Sequence, residues 1–156
     1  MASTITAGTL KVTIRESITL KGREQGSTTE LSISDINEVA SRIVTATTTE
    51  AVIIAMGTVI AAGQFLESKV RYIRITNLDD TNHVSLTFRN EDSDEFGVKL
   101  DKGQSFIYNG DLSGGVVDTM EAAATAITPG TFADLVDITA LADTASCDLE
   151  IFVASA

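Results

Sequence analysis

Residues 70–109 carry the pattern that most constrains the fold of this 156-residue chain. Apolar and polar residues alternate strictly over 84–89 and again over 96–101. A period of two is typical of strands that cover a core with one face. Stretches rich in Asn, Asp and Gly, which favour turns, separate the alternating runs at 77–82, 90–94 and 101–103. The pattern predicts an antiparallel β-meander.

Further strand patterns lie on both sides of this region. Leu10–Lys21 alternates with Glu16 as the one exception, which predicts a bulge or a sheet rim there. The remaining predicted strands are a short one from Leu31, a β-branched one over 38–46, an apolar and well-covered one over Ala51–Met56, one over 131–139 and one from Cys147. About eight or nine short strands predict an all-β fold, an antiparallel β-sandwich, with the jelly roll as one specific topology.

The sequence predicts an N-terminal arm followed by one domain. Residues 1–9 are small and polar and predict a flexible N-terminal arm, either a frayed end or a segment that grips a neighbouring subunit. Residues 10–156 form the predicted single β-sandwich domain. One short helix is predicted near 118–126, because Ala, Met and Glu favour helices and Pro129-Gly130 follows as a stop.

Charge and hydropathy exclude several classes of partner. The net charge is −11, and residues 101–156 hold one basic and nine acidic residues, a local charge of −8. Nucleic-acid binding needs a basic stripe, so no nucleic-acid partner is predicted. The longest apolar run, Ala51–Met56, is far shorter than the ~20 residues of a membrane helix. With no signal-peptide pattern either, we expect synthesis in a reducing cytoplasm and no membrane partner.

No catalytic constellation is present. His83 is the single histidine and lies in a polar turn, and Cys147 is the single cysteine and alternates with predicted core residues. A solvated histidine and a buried thiol are the expected states. Neither glycine-rich nucleotide motif occurs. The sequence therefore predicts a protein that is not an enzyme and has no cofactor.

Two acidic turns are the only candidates for metal binding. Asn90, Asp92, Asp94 and Asp101 match positions 1, 3, 5 and 12 of a calcium loop, but Glu95 stands where the loop requires Gly. Asp79 and Asp80 in the 77–82 turn form a second weak candidate. Solvated hairpin turns are the preferred interpretation of both, so no metal is assigned.

Several segments of the chain resemble small virion structural proteins of tailed bacteriophages. They are 34–44 (SDINEVASRIV), 72–84 (YIRITNLDDTNHV), 100–107 (LDKGQSFI), 138–145 (ITALADTA) and 150–155 (EIFVAS). The resemblance implies a capsid cement or decoration protein: a compact β-fold, often a homotrimer, on the outer surface of the virion. The implied partner is the major capsid protein. The resemblance fixes no interface residues.

Two alternatives stay open. The protein is a tail or neck subunit in the first and a carbohydrate-binding or adhesion β-module in the second. Sugar-binding modules display exposed aromatic rings, whereas this chain has no Trp and only two tyrosines, Tyr72 and Tyr108.

Overall fold

The computed structural model describes residues 4–156, so the first three residues of the predicted N-terminal arm lie outside the described residues. The described chain consists of strands and turns. The strands are β1 (Gly8–Arg15), β2 (Thr19–Leu20), β3 (Arg23–Glu24), β4 (Thr28–Ile36), β5 (Glu38–Ala46), β6 (Ala51–Gly57), β7 (Phe65–Leu66), β8 (Val70–Asn77), β9 (Val84–Asn90), β10 (Glu95–Leu100), β11 (Ser105–Asn109), β12 (Leu135–Ala142) and β13 (Cys147–Ser155); a single 3₁₀ turn spans Glu67–Lys69.

The body of the protein is an antiparallel β-sandwich. Sheet I has the strand order β11-β8-β13-β5, and sheet II has the order β10-β9-β12-β6-β7, in which only the short β6–β7 pairing is parallel. If β7 is set aside, the eight remaining strands have the order and connections of a jelly roll. The all-β sandwich prediction is therefore confirmed.

The core lies between the two sheets. The inward-facing residues of both sheets are almost fully buried, with Ile73, Leu86, Phe88 and Ile138 each at most 1% exposed. The Phe88 ring stacks on that of Phe96 with 4.7 Å between the ring centroids. Each such side chain contributes roughly 1.5–3 kcal/mol through burial alone. Alternation along the strands therefore determines which face of each sheet turns inward.

The predicted meander over 70–109 is right in one of its three pairings, that of β9 with β10, and wrong in the other two. β8 pairs with β11 and β13 in sheet I, whereas β9 pairs with β10 and β12 in sheet II. The turn after Asn77 crosses from one sheet to the other. Strands on opposite sheets show the same alternation as neighbouring strands, because both direct their apolar residues into one core.

The predicted helix near 118–126 is also wrong. Asp118 has a positive φ of 51°, and Met120 pairs with Ala133 in an isolated β-bridge, which buries the Met120 side chain. Residues 123–130 are exposed and irregular. A segment of this length is a marginal helix without a packed apolar face, and Met120 is already buried by other contacts.

The other predicted strands are placed with varying success. The strand over 38–46 is confirmed as β5, and the last strand begins at Cys147 as predicted. The strand expected over 131–139 begins four residues later, as β12. β6 is not covered on both faces, because Val52 is 54% exposed. Its neighbour β7 is only two residues long, so the first half of β6 lies at an open sheet edge.

An N-terminal β-hairpin lies outside the sandwich. β1 pairs with β4, and the two-residue strands β2 and β3 form its tip. Near its base, Ile33 and Ile36 are buried against Tyr72 and Ala154 on the outer face of sheet I. Strand β1 begins at Gly8, inside the predicted arm of residues 1–9. The base of the hairpin thus covers Tyr72 and Ala154 on that face, whereas Val39 and Ile43 of β5 stay 53% and 64% exposed.

Candidate functional site

The distal half of the hairpin is the most exposed regular structure in the described chain. Every residue from 13 to 30 is exposed except Gly26. The chain reverses at Lys21 and Gly22, whose φ values of 50° and 78° are those of a tight two-residue hairpin turn. We call residues 13–28 the hairpin tip. Sequence reasoning missed the hairpin because it proposed no pairing between the strand over 10–21 and the short strand from Leu31, and residues 23–28 between them show no strand pattern.

Two glutamates hold the hairpin tip in shape. The Glu24 carboxylate accepts hydrogen bonds from the backbone N–H of Gly26 at 2.9 Å and of Ile18 at 3.0 Å, and these bonds lower its pKa. The Glu16 carboxylate accepts a hydrogen bond from the Ser27 hydroxyl at 3.0 Å. Both acidic side chains of the tip are therefore engaged within it.

Gly26 is required by the close approach of the two strands of the tip. A Cβ atom at this position would lie 1.9 Å from the Glu16 carbonyl oxygen, which is closer than any real contact. The interruption that Glu16 causes in the alternation of 10–21 coincides with this close approach, between the end of β1 and the start of β2. The predicted bulge at Glu16 is not found, because the register is the same before and after the interruption, where Arg15 pairs with Thr28 and Thr19 with Glu24. Glu16 lies just beyond the end of β1, which fits the alternative prediction of a sheet rim.

The outward surface of the hairpin tip is both apolar and basic. Ile14, Ile18 and Leu20 are 44–48% exposed, and they continue the stripe whose earlier members, Leu10 and Val12, pack on sheet I. The basic residues of the tip are Arg15, Lys21 and Arg23. In the part of the chain that the structure describes, none of these three has a carboxylate within salt-bridge distance.

The acidic turn over 77–82 is organised by a buried asparagine. The Asn77 side chain is fully buried, accepts a hydrogen bond from the Asp79 N–H at 3.0 Å and donates one to the Asn82 carbonyl at 3.0 Å. The Asp79 carboxylate accepts hydrogen bonds from the backbone N–H of Asn82 and Thr81, which lower its pKa. The carboxylate of the calcium candidate Asp79 is thus already hydrogen-bonded to backbone N–H groups, whereas the neighbouring candidate Asp80 is exposed.

The acidic turn over 90–94 is organised in the same way, by the buried Asn90. The buried Asn90 side chain accepts a hydrogen bond from the Asp94 N–H at 2.8 Å and donates one to the Met120 carbonyl at 3.5 Å. Asp92 is exposed in the turn, and Asp101 lies beyond the far end of β10. The residues that sequence placed in one calcium loop are therefore separated by a strand.

His83 and Cys147 lie close together at one end of the sandwich. The His83 imidazole Nδ1 is 3.7 Å from the Asp143 carboxylate. The Cys147 thiol is fully buried and 3.8 Å from the His83 carbonyl oxygen, and burial raises its pKa. A buried thiol of raised pKa is a poor nucleophile.

Several open depressions mark the surface of the described residues, and two of them lie beside sheet I. One, of about 530 Å³, lies beside β5 and is lined by side chains of both charges, among them Glu38, Arg42 and Lys69. The other, of about 490 Å³, lies at the end of sheet I opposite the hairpin base. It is lined by Thr45, Leu78, Asp79, Asp80, Ser146 and Asp148, and we call it the acidic depression.

No group of three or more His, Cys, Asp or Glu side chains in residues 4–156 is placed to hold a metal ion. The same residues include no helix long and apolar enough to cross a lipid bilayer.

Comparisons with known proteins give little that bears on function. No protein-family model matches the chain, and no curated protein matches it. One similar solved structure comes from work on Bacillus endospore appendages, described there as a novel family of disulfide-linked pili. It aligns with a TM-score of 0.44 and 11% identity over 76% of this chain and 84% of that one. A likeness of this size carries no argument about function.

Proposed function

We propose that this chain is a non-enzymatic structural protein of a tailed-bacteriophage virion, where it decorates and stabilises the capsid surface by binding the major capsid protein. The observation that carries the proposal is the hairpin tip, an exposed element with apolar residues that the described chain does not bury. An element of this kind is stabilised when a neighbouring molecule covers it. Decoration of a shell requires such contacts from every copy.

The body of the protein suits a structural role. Jelly rolls occur in viral capsid domains as well as in lectins and cupins, so the fold is compatible with a virion protein by analogy alone. Sheet II presents a polar outer face on which Arg89 binds Glu95 at 2.6 Å and Asp137 at 3.1 Å, across three neighbouring strands. Cross-strand ion pairs of this kind stiffen a face without making it apolar.

An enzymatic role is not supported by the residues that sequence reasoning considered. The Cys147 thiol is buried, and the His83 imidazole lies near a carboxylate rather than a nucleophile. Asp79 is occupied by backbone amides. We therefore include the absence of catalysis in the proposal.

A carbohydrate-binding role is disfavoured by the aromatic side chains. Tyr72 is buried against Phe152 beneath the hairpin, and the Tyr108 hydroxyl donates its hydrogen bond to Thr119. Sugar-binding surfaces need exposed rings for stacking. Among the described residues Phe132 is the one aromatic side chain that is substantially exposed, at 41%, and a single ring makes a poor platform.

The copy number per particle tests the proposal. Virions of the phage that encodes the chain are purified, and the protein is quantified by mass spectrometry against the major capsid protein. A copy number comparable with that of the capsid protein would support decoration of the head. A copy number equal to the number of subunits in one or a few tail rings would favour the tail or neck alternative. Absence from the particle would overturn the virion assignment.

A further inference from the structure

The hairpin tip has an apolar surface that the rest of its own molecule does not cover. Leu10 and Val12 on β1 are partly buried against sheet I, but Ile14, the next apolar residue on the same face, is 44% exposed. Ile18 and Leu20 extend the exposed stripe to the turn, each at 48%. The apolar stripe thus continues beyond the surface on which it packs.

The charge of the hairpin tip is opposite in sign to that of the rest of the chain. Residues 13–28 hold three basic and two acidic residues, a local charge of +1, whereas the remaining residues hold eight basic and twenty acidic residues, a charge of −12. Both glutamates of the tip are hydrogen-bonded within it. The cationic groups of Arg15, Lys21 and Arg23 are thus its outward charges.

The acidic depression complements this surface in charge and in hydropathy. Its lining includes the carboxylates of Asp79, Asp80 and Asp148 around Leu78, which is 45% exposed, and it includes no basic residue. Hydrogen bonds with the turn backbone fix the Asp79 carboxylate, and the Asp148 carboxylate accepts one from the Thr45 hydroxyl at 2.7 Å. Fixed charges need little reordering when a cation binds.

We propose that the hairpin tip of one copy docks into the acidic depression of a second copy, with its apolar stripe against Leu78 and its basic side chains against the aspartates. The hairpin base packs at Tyr72, and the depression begins after Asn77, at the other end of β8. Because the two docking surfaces are different, the contact is heterologous, and its repetition gives a closed ring or an open chain of copies.

This inference goes beyond the proposed function, since it names a second copy of the chain as the neighbouring molecule that covers the hairpin tip and leaves the surface that binds the capsid protein unassigned. Its test needs only the purified protein, so failure of self-association leaves the copy-number result standing, and the reverse also holds.

Complementary charge reversal tests the contact. The hairpin variant is Lys21→Glu with Arg23→Glu, and the depression variant is Asp80→Lys with Asp148→Lys. A matched control, Lys99→Glu with Lys102→Glu, makes the same change in net charge at exposed basic residues elsewhere on the body. Sedimentation velocity over a range of protein concentration measures self-association at low and at high salt, and thermal unfolding confirms that each variant is folded.

We expect the wild type and the control to self-associate, more strongly at low salt, since screening weakens contacts between exposed charges. Each of the two charge-reversed variants alone is expected to associate at least about tenfold more weakly, because like charges then face each other. Mixing the two is expected to restore association. A wild type that stays monomeric at low salt, or a hairpin variant that associates as well as the control, would overturn the proposal.

Alternative occupants have their own readout. Vesicles containing anionic lipid and vesicles of neutral lipid are mixed with the wild type and with the hairpin variant. Binding of the wild type to anionic vesicles, lost in the hairpin variant and accompanied by no self-association, would assign the tip to a membrane surface and overturn docking between copies.

Discussion

The fully buried Asn77 side chain donates a hydrogen bond to the Leu100 carbonyl oxygen at 3.3 Å, which joins the end of β8 in sheet I to the end of β10 in sheet II. The backbone of Asn77 also exchanges hydrogen bonds with Gly103 and Gln104 in the turn that follows β10. One residue therefore ties the two sheets together at the end where the chain crosses between them.

Replacement of Asn77 by Ala is expected to lower the free energy of unfolding by about 1–3 kcal/mol, because it leaves buried carbonyl groups without a donor. Chemical denaturation measures the effect. Asn109→Ala, a change at an exposed residue near the end of β11, serves as the control and is expected to have little effect. Equal stability of the two variants would show that the Asn77 amide does not hold the sheets together.

Glu67 is a buried acid in an unfavourable setting. Its side chain is 5% exposed, and burial first, then the nearby Asp134 and Glu91 carboxylates, raise its pKa. Because the pKa of Glu67 is higher in the folded state than in the unfolded state, the folded protein loses stability as the pH rises from the ordinary pKa of a glutamate through the pKa of the folded state. Glu67→Gln is therefore expected to raise the melting temperature at neutral pH.

The gain from Glu67→Gln is expected to vanish at a pH below the ordinary pKa of glutamate, where Glu67 is protonated in both states. Thermal melts of the variant and the wild type across this pH range test the expectation. Glu38→Gln, at an exposed site, is the matched control. A stabilisation that persists unchanged into acid would mean that the charge of Glu67 is not its cause.

Asp111 has the opposite behaviour. Its carboxylate accepts hydrogen bonds from the Ser113 hydroxyl at 2.6 Å and from the N–H groups of Ser113 and Gly114, which lower its pKa to about 2. A carboxyl group with a lowered pKa in the folded state stabilises the fold at a pH above the ordinary pKa of an aspartate. This stability is lost as the pH falls through the pKa of the folded state. Asp111→Ala is expected to be less stable than the wild type at neutral pH.

The difference between Asp111→Ala and the wild type is expected to narrow as the pH falls from about 4 to about 2, over which the carboxylate protonates. Denaturation of both proteins at several pH values measures it, and NMR titration of the Asp111 side chain gives the pKa directly. A titration at the ordinary value of an aspartate would contradict the prediction.

The sequence patterns predicted several strands correctly but did not predict which strands pair. The β-branched residues of 38–46 and the alternation from Cys147 placed β5 and β13 correctly, because both patterns are typical of strands. Alternation does not report the partner strand, so Ile73 and Phe88, which lie in opposite sheets around one core, were assigned to one meander. The partner depends on contacts distant in sequence.

The features of the candidate site were harder to predict for a related reason. The strand β4 begins with Thr28, Thr29 and Glu30, which are exposed and show no alternation, so the full hairpin was not predicted. The predicted helix over 118–126 rested on propensity alone, and the burial of Met120 against the sandwich overrides so weak a preference. The metal candidates were correctly placed in turns, but sequence could not show that Asn77 and Asn90 organise those turns.

Cys147 is expected to be unreactive in the folded protein. The thiol is fully buried, and its pKa is raised first by burial and then by the nearby aspartates Asp79, Asp148 and Asp143. A thiol-specific chromogenic reagent should react at neutral pH only after a denaturant is added. Rapid reaction of the native protein would show that this end of the sandwich opens readily.

The hairpin is expected to open independently of the sandwich. Ile33, which is 2% exposed, is the most deeply buried hairpin residue among those that pack on Tyr72 and Ala154. Ile33→Ala removes most of that side chain, and a substitution of this kind costs about 2–5 kcal/mol where the site is well packed. Because the hairpin forms its own two-stranded sheet, this cost falls on its docking rather than on the core of the jelly roll.

Hydrogen exchange followed by mass spectrometry measures the opening of each segment. In Ile33→Ala the amides of β1 and β4 are expected to exchange faster, while those of β9 and β12 keep the protection of the wild type. Ile54→Ala, a change in the sandwich core, provides the comparison and is expected to speed exchange in sheet II. Faster exchange throughout the chain in Ile33→Ala would mean that hairpin and sandwich unfold as one cooperative unit, and the hairpin tip would then be as rigid a contact element as the body itself.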